Sequence, residues 1–308
     1  MDKIYDVAII GGGVAGFSAA MYAGRLKLST LIIAENRGGT IILTNHVTNW
    51  PGTKSVSGLD LASNIEAHAK EYTPEIIDAK AVKAQKTKDG FSIADSDGKT
   101  YNARALILAT GSSMRKLNIP GEKELEGKGV HTCALCDGFF YSDKTVAVIG
   151  GSDSAAKEAL LLTQWAKKVY IIYRGESIRA EPVNLERVKA SEKIEVLNHT
   201  NVKEIKGKTK VESLILDKSH KGKTEFPVDA VFIEIGRIPN SDLARQLGIK
   251  LNEKSEIIIN RKAETNIPGV FACGDVSDTI FKQAIVGAGE AVLAAYCAYE
   301  WLQMQKKK

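Results

Sequence analysis

Twice in this chain an apolar strand runs straight into a glycine-rich turn that opens a helix. Tyr5-Asp-Val-Ala-Ile-Ile10 is a short apolar run without polar alternation, the pattern of a parallel strand buried on both faces. Gly11-Gly-Gly13-Val-Ala-Gly16 follows, and the apolar stretch from Phe17 to Leu26 reads as a helix. The second unit starts with Thr145-Val-Ala-Val-Ile149, turns through Gly150-Gly151-Ser152-Asp153-Ser154-Ala155, and continues as a helix from Ala156 to Trp165. Such units build a parallel sheet covered by helices, so the fold class is α/β, with two Rossmann-like three-layer domains. The 308 residues leave room for both.

The first turn has G-x-G-x-x-G spacing. Gly11 makes the tight turn, Gly13 lets backbone approach a pyrophosphate, and Gly16 allows close helix–strand packing, while the helix N-terminus offers N–H donors. The next strand, Thr30-Leu-Ile-Ile-Ala34, ends at Glu35, the acid such a motif places to hold ribose hydroxyls. The second turn departs from the pattern. Ser152 takes the middle glycine position and Ala155 the last. Alanine fits there, but the Ser152 Cβ narrows the approach even as its hydroxyl can donate. The strand Lys168–Tyr173 ends at Arg174, with Arg179 beyond it. A guanidinium forks onto phosphate oxygens, so arginines here suit a ribose 2′-phosphate and favour NADPH over NADH; two solvated surface arginines are the plain alternative. Two such starts predict two cofactors, or one dinucleotide and its hydride donor.

Cys133-Ala-Leu-Cys136-Asp137 lies just before the second unit. Two thiols at C-x-x-C spacing can close and reopen a small disulfide, and the adjacent acid can move the proton that exchange requires. Cys273 and Cys297 complete the four cysteines and are not at paired spacing, so zinc lacks a second ligand pair. They read as buried small hydrophobes. Four cysteines do not make a secreted disulfide scaffold, no signal-peptide pattern precedes the first strand, and no apolar run approaches the ~20 residues that span a bilayer. The reading is therefore cytoplasmic, with no membrane partner. A net charge of +5 without a dense basic run interleaved with aromatics predicts no nucleic-acid partner. Lys306-Lys307-Lys308 is expected to be a frayed tail.

Between these units the chain punctuates itself. Arg37-Gly38-Gly39-Thr40 and Asn49-Trp50-Pro51-Gly52 read as loops, Leu59 to Tyr72 as an amphipathic helix, and residues 76–102 as an antiparallel meander. Ala103–Ala109 is a further buried strand closed by Thr110-Gly111. Asn118-Ile-Pro120-Gly121 and Gly236-Arg-Ile-Pro239-Asn240 are breaker clusters where the chain changes module. Ile257–Ile259 reads as a short strand, Ile267 to Asp275 as a strand running into a turn, and the last helix spans about Gln283 to Leu302.

In order and spacing together, the glycine turn at 11–16, Gly38-Gly39, Asn49-Trp-Pro-Gly52, Ala109-Thr110-Gly111, Cys133-Ala-Leu-Cys136-Asp137-Gly-Phe-Phe-Tyr141, Gly274-Asp275 and Lys282-Gln283-Ala284 resemble the low-molecular-weight thioredoxin reductases of bacteria and archaea, over nearly the full length. The resemblance implies an FAD domain at 1–116 and 241–308, an inserted NADPH domain at 117–240 that carries the C-x-x-C, and a homodimer. It implies that Gly11, Gly13, Gly16 and Glu35 hold the adenosine half of FAD. Asn49 would lie near the flavin, Asp275 on the ribityl chain, and Gln283 and Ala284 against the ring; Gly39, Thr40, Thr110, Gly111 and Gly274 complete the set. For NADPH it implies Gly150, Ser152, Asp153, Ser154, Ala155, Arg174 and Arg179. Cys136 would face the flavin, Cys133 would attack the disulfide of thioredoxin or a thioredoxin-like protein, and Asp137 would be the acid–base group. Because dithiol and nicotinamide site share one domain, a rotation about the two linkers is expected. Departures stand at Ser152, at Tyr173, where histidine is common, at Gly175, where a second arginine is usual, and at Thr40, where glutamine is frequent. Those at Ser152, Tyr173 and Gly175 bear on the donor, whereas Thr40 bears only on flavin contacts; other readings stand open: a reductase fed by ferredoxin or NADH, a dithiol oxidase, and a non-enzymatic flavin scaffold.

Overall fold

Alternation along the strand Ile4–Gly13 sets up a core on each side of a sheet. Val7 and Ile9 enter one buried cluster, Ala8 and Ile10 the other. The computed structural model describes residues 3–44 and 47–306. The chain forms two compact units, Met1–Ser113 with Ile238–Lys308, and Met114–Arg237.

In the first unit Ile4–Gly13 pairs in parallel with Thr30–Gly38 on one side and Thr100–Leu108 on the other. Glu75–Ile77 extends the sheet in parallel beyond Thr30–Gly38. Thr100–Leu108 divides its remaining partners. Its start pairs antiparallel with Gly90–Asp95, which pairs with Ala81–Thr87, and its end pairs in parallel with Val270–Ala272. The meander's last strand and the buried strand expected after it are thus one strand, because no glycine or proline interrupts the run from Thr100 to Leu108. The helices Val14–Arg25 and Ala284–Lys306 cover one face, with Ala19, Ala20, Ala23, Ala291, Ala294, Ala295 and Ala298 in their shared core. Side chains this small let the two helices approach closely. Beyond Lys306 the expected frayed tail lies outside the described residues.

The strand expected at 257–259 is not formed. Ile257 makes isolated bridges to Leu251 and Ser277. Asn252 Oδ1 accepts from the backbone N–H groups of Lys254 and Glu256, and Asn260 Oδ1 from those of Lys262 and Glu264. These two turns bracket the apolar triplet and leave it too short to run as a strand.

The second unit has a five-stranded parallel sheet in the order Ile194–Leu197, Lys168–Ile172, Thr145–Ile149, Ala230–Ile233, Val130–His131. The helices Asp153–Leu162 and Pro182–Ala190 cover one face, burying Ala155, Ala159 and Val188 with Val146, Val148 and Phe232. An antiparallel sheet of Val202–Lys206, Ser213–His220 and Lys223–Pro227 lies on the other core, where Leu214, Leu216 and Phe226 meet Ala147, Ile149 and Val231. Among the described residues no helix is long and apolar enough to cross a membrane.

Candidate active site and cofactor cradles

In the first unit the predicted residues gather at the carboxyl ends of the parallel strands, the edge where open α/β sheets bind ligands. A Cβ on Gly16 would lie 1.9 Å from the Gly11 carbonyl oxygen, so that glycine is what lets the helix sit on the turn. Gly13 faces Gly39, whose added Cβ would stand 2.9 Å from the Gly13 Cα, and a Cβ on Gly111 would meet nothing within 4 Å. Gly13, Gly39 and Gly111 thus offer backbone unobstructed by side chains, as a phosphate-binding surface requires. Thr110 is stapled in place: its Oγ1 donates to the Asn240 carbonyl at 2.7 Å, and Asn240 Nδ2 donates to the Thr110 carbonyl at 2.9 Å. Asp275 accepts from Ser112 Oγ at 3.2 Å. Asn49 Nδ2 donates to Gln283 Oε1 at 2.9 Å, joining two predicted residues from opposite ends of the chain, and Ala284 begins the last helix. Lys282 donates to the carbonyls of Asp275 and Ser277 and pairs with Glu256 at 3.0 Å, which ties this loop to the Gly274-Asp275 turn. Glu35 and Thr40 are exposed, and Glu35 is 3.6 Å from Lys80.

In the second unit Ser152 caps the helix Asp153–Leu162 without a side-chain capping bond. Asp153 is engaged: it accepts from the Glu181 N–H and Asn184 Nδ2, both at 2.8 Å, and pairs with Lys157 at 2.7 Å. Burial raises its pKa, but these donors outweigh burial and hold the carboxyl below its usual range. Ser154 is exposed and Ala155 is buried in the core. Arg179 N–H donates to the Gly151 carbonyl, closing the loop over the turn. Arg174 and Arg179 are exposed, and neither has an ion-pair partner among the described residues, so both guanidinium groups are available to an anion. The Tyr173 ring lies over the turn, where a Cβ on Gly151 would be 2.2 Å from it and one on Gly175 2.6 Å. The departures at Tyr173 and Gly175 are therefore one packing change, since the ring fills the space a side chain at 175 would need.

At the carboxyl end of Val130–His131 in the same sheet, Cys133 and Cys136 form a disulfide with Cα atoms 5.4 Å apart. Cys133 caps the short helix Ala134–Asp137, and its Sγ accepts from the Cys136 N–H at 3.1 Å. Cys133 is buried and Cys136 exposed. Asp137 Oδ2 lies 3.0 Å from His131 Nδ1, and His131 Nε2 is 2.8 Å from the Tyr141 hydroxyl. Cys273 and Cys297 are buried free thiols, as expected.

Two carboxyl groups escaped the sequence reading. Glu158 Oε2 accepts from the Ala134 N–H at 2.5 Å, at the first helical residue after Cys133. Burial pushes its pKa up to about 7, with the Ala134 N–H and Arg237 opposing. Glu234 follows the strand Ala230–Ile233; burial and then Glu158 push it up to about 8, against Arg237. The available signal was a glutamate set among Ala155, Ala156, Ala159 and Leu162 on a core-facing helix. Both groups bind protons more tightly folded than unfolded. Their stabilising contribution is thus complete below the ordinary value of 4.5 and is lost as pH rises through about 7 and 8. We expect Glu234→Gln to raise the stability of the full chain by roughly 1–3 kcal/mol near pH 9 relative to its effect near pH 5. Thermal melts of both proteins across that range check this, and a pH-independent difference contradicts it.

A protein-family model described as pyridine nucleotide-disulphide oxidoreductase matches residues 5–291. A thioredoxin reductase of Bacillus subtilis is 38% identical over 305 residues, 98% of this chain and 96% of that protein. Among solved structures, a Lactococcus lactis thioredoxin reductase matches with a TM-score of 0.93 at 35% identity, covering 97% of this chain and 99% of that one. The thioredoxin reductase of T. acidophilum matches with a TM-score of 0.91 at 33% identity, over 97% and 99%. The chain belongs to the pyridine nucleotide-disulphide oxidoreductase family. It is an oxidoreductase and a flavoprotein, with FAD and NADPH as cofactors. The side-chain-free backbone at Gly13, Gly39 and Gly111 fits the first, and the unpaired Arg174 and Arg179 beside the Gly150 turn fit the second.

Proposed function

We propose that the chain is a thioredoxin reductase, a cytoplasmic homodimer that passes electrons from NADPH to the Cys133–Cys136 disulfide and on to thioredoxin or a thioredoxin-like protein. The observation that carries this is a disulfide with an adjoining carboxyl at the carboxyl edge of the sheet that also bears the second glycine turn. The names of the full-length relatives support thioredoxin as the acceptor, and the family resemblance supports the dimer.

On this reading the discontinuous unit, bounded at 1–116 and 241–308, holds FAD through Gly11, Gly13, Gly16, Glu35, Gly39, Thr40, Asn49, Thr110, Gly111, Gly274, Asp275, Gln283 and Ala284. The inserted unit, 117–240, holds NADPH through the Gly150–Ala155 turn, with Arg174 and Arg179 on the 2′-phosphate. When bound, FAD would supply hydride and electron-transfer chemistry, through which the two electrons of NADPH could reach the disulfide. Cys136 receives them and Cys133 is released as the thiolate that attacks the partner's disulfide. Asp137 moves the accompanying proton. Cys133 is buried in the disulfide form, so its delivery requires a rearrangement, for which rotation about the two linkers is the natural motion.

The test is anaerobic titration of the purified flavoprotein with NADPH, NADH and reduced ferredoxin, followed by oxidised thioredoxin. NADPH should bleach the flavin faster than NADH, and thiols should then appear on thioredoxin. A flavin that no donor bleaches, or a thioredoxin left oxidised by the reduced enzyme, rules the reading out.

A further inference from the structure

His131 grips the Asp137 carboxylate from the interior of the fold. It lies on the edge strand Val130–His131 and is buried. Its ring stacks on Phe232 with centroids 5.4 Å apart, and the Tyr141 ring meets it edge-on at 5.5 Å. Both nitrogens are bonded, Nδ1 at 3.0 Å from Asp137 Oδ2 and Nε2 at 2.8 Å from the Tyr141 hydroxyl. Burial lowers the His131 pKa, with Asp137 opposing, so the imidazole is neutral and has a single N–H. Burial, then Asp137 and Asp229, raise the Tyr141 phenol, which keeps its proton. A carboxylate can only accept. Nδ1–H therefore donates to Asp137, and Nε2 is left to accept from Tyr141 O–H. The result is a one-way chain from Tyr141 through His131 to Asp137. The other charged groups near it are Asp229, which acts on Tyr141, and Glu158, which engages the Ala134 N–H; Phe232 brings no charge.

We infer that His131 is a positioning residue for thiol–disulfide exchange, holding Asp137 by Oδ2 so that Oδ1 is the oxygen that takes up and returns the Cys136 proton. This rests on the reductase reading above. In the dithiol form the Cys133 thiolate attacks the partner disulfide. That S–S bond breaks, a mixed disulfide forms, and the first leaving sulfur takes from water the proton that Cys133 released on ionising. Cys136 then gives its proton to Asp137 Oδ1 and attacks Cys133. The Cys133–Cys136 bond forms as the mixed disulfide breaks, and Oδ1 passes the proton to the second leaving sulfur. Two electrons move from the dithiol to the partner.

Two substitutions separate the bonds His131 makes. In H131N the amide N–H can stand near the Nδ1 position and keep the bond to Asp137, whereas in H131Q it reaches toward Tyr141 instead. Full-length flavoprotein is reduced with a phosphine, desalted and mixed with hydroxyethyl disulfide, and the rate of disulfide consumption is followed against pH. No nicotinamide takes part, so the outcome is independent of donor and of thioredoxin. H131Q should slow exchange by about 10- to 100-fold and shift the pH profile, while H131N stays within about threefold of the wild type, a split expected for a group acting through an acid–base residue. Y141F, which removes one hydroxyl from an intact ring, should move the profile in the same direction as H131Q. Equal losses in H131N and H131Q with an unmoved profile, or an unmoved profile in Y141F, overturn the inference, as does a reduced wild type that fails to exchange. A wild type that exchanges here but does not pass electrons from NADPH to thioredoxin instead contradicts the reductase reading.

Discussion

Cys136→Ser will leave a protein that still accepts electrons from NADPH but no longer passes them on: flavin bleaching persists, and thioredoxin turnover falls by at least about 10³-fold. Serine cannot form the S–S bond that the pair must close and reopen. Cys133→Ser should lose turnover to the same extent, so rates alone do not separate the two thiols. Trapping does. With Cys136 gone, Cys133 can still attack thioredoxin, but nothing resolves the mixed disulfide, which should accumulate and appear on a non-reducing gel. Exposure by itself points the other way, because Cys133 is buried and Cys136 is exposed. Against exposure stands the Cys136 N–H, which donates to Cys133 Sγ at 3.1 Å. A hydrogen bond to the charged form favours it, so the thiolate is best supported at Cys133. Should Cys133→Ser trap thioredoxin and Cys136→Ser not, the two sulfurs exchange roles.

The features legible in the sequence were those whose physics is local. A strand buried on both faces must be continuously apolar, and the runs at Tyr5–Ile10, Thr145–Ile149 and Lys168–Tyr173 all form parallel strands at those places. A glycine turn and a C-x-x-C-D run also declare themselves by spacing. What stayed hidden depends on partners far apart in the chain. Asn49 and Gln283 are 234 residues apart and meet only once the first unit has folded. His131 lies two residues from Cys133, yet its role becomes visible only when the edge strand and the turn at Gly138–Tyr141 set both nitrogens against partners. Glu158 looks like an ordinary helix glutamate until burial and the Ala134 N–H are known. Tyr173 and Gly175 read as two separate departures, and the ring packed on Gly151 and Gly175 makes them one. The triplet at 257–259 failed for a related reason, since apolar propensity lost to side-chain-capped turns on both flanks.

Gly11→Val and Gly150→Val should break the two units one at a time. The positions carry the same steric fault. Gly11 has φ +118°, and a Cβ there would lie 2.1 Å from the Ala109 carbonyl oxygen; Gly150 has φ +151°, and its Cβ would lie 2.1 Å from the Glu234 carbonyl oxygen. In each case the obstacle is backbone at the end of a neighbouring parallel strand, so no rotamer change relieves it. At Gly11 the neighbouring strand's end is also tied back, since the Ala109 N–H donates to the Ile10 carbonyl at 2.8 Å. Moving Ala109 aside would strain a ladder in the middle of the sheet. A left-handed backbone costs an L-residue about 1–2 kcal/mol, and overpacking adds about 1–3 kcal/mol or more. The sum is a large share of the roughly 5–15 kcal/mol by which a domain is stable. Gly98→Ala is the control, because φ there is +81°, its Cβ would meet nothing within 4 Å, and only the backbone term remains. If the first unit holds FAD and the second NADPH, the consequences differ in kind. Gly11→Val should purify colourless or aggregate, whereas Gly150→Val should keep its yellow flavin and lose bleaching by NADPH, while a strong chemical reductant still bleaches it. Absorbance spectra of the purified variants, before and after each reductant, read this directly. A Gly150→Val protein that loses its flavin while Gly11→Val retains it would place the two cofactors the other way round, because the two side chains strain different sheets by the same contact.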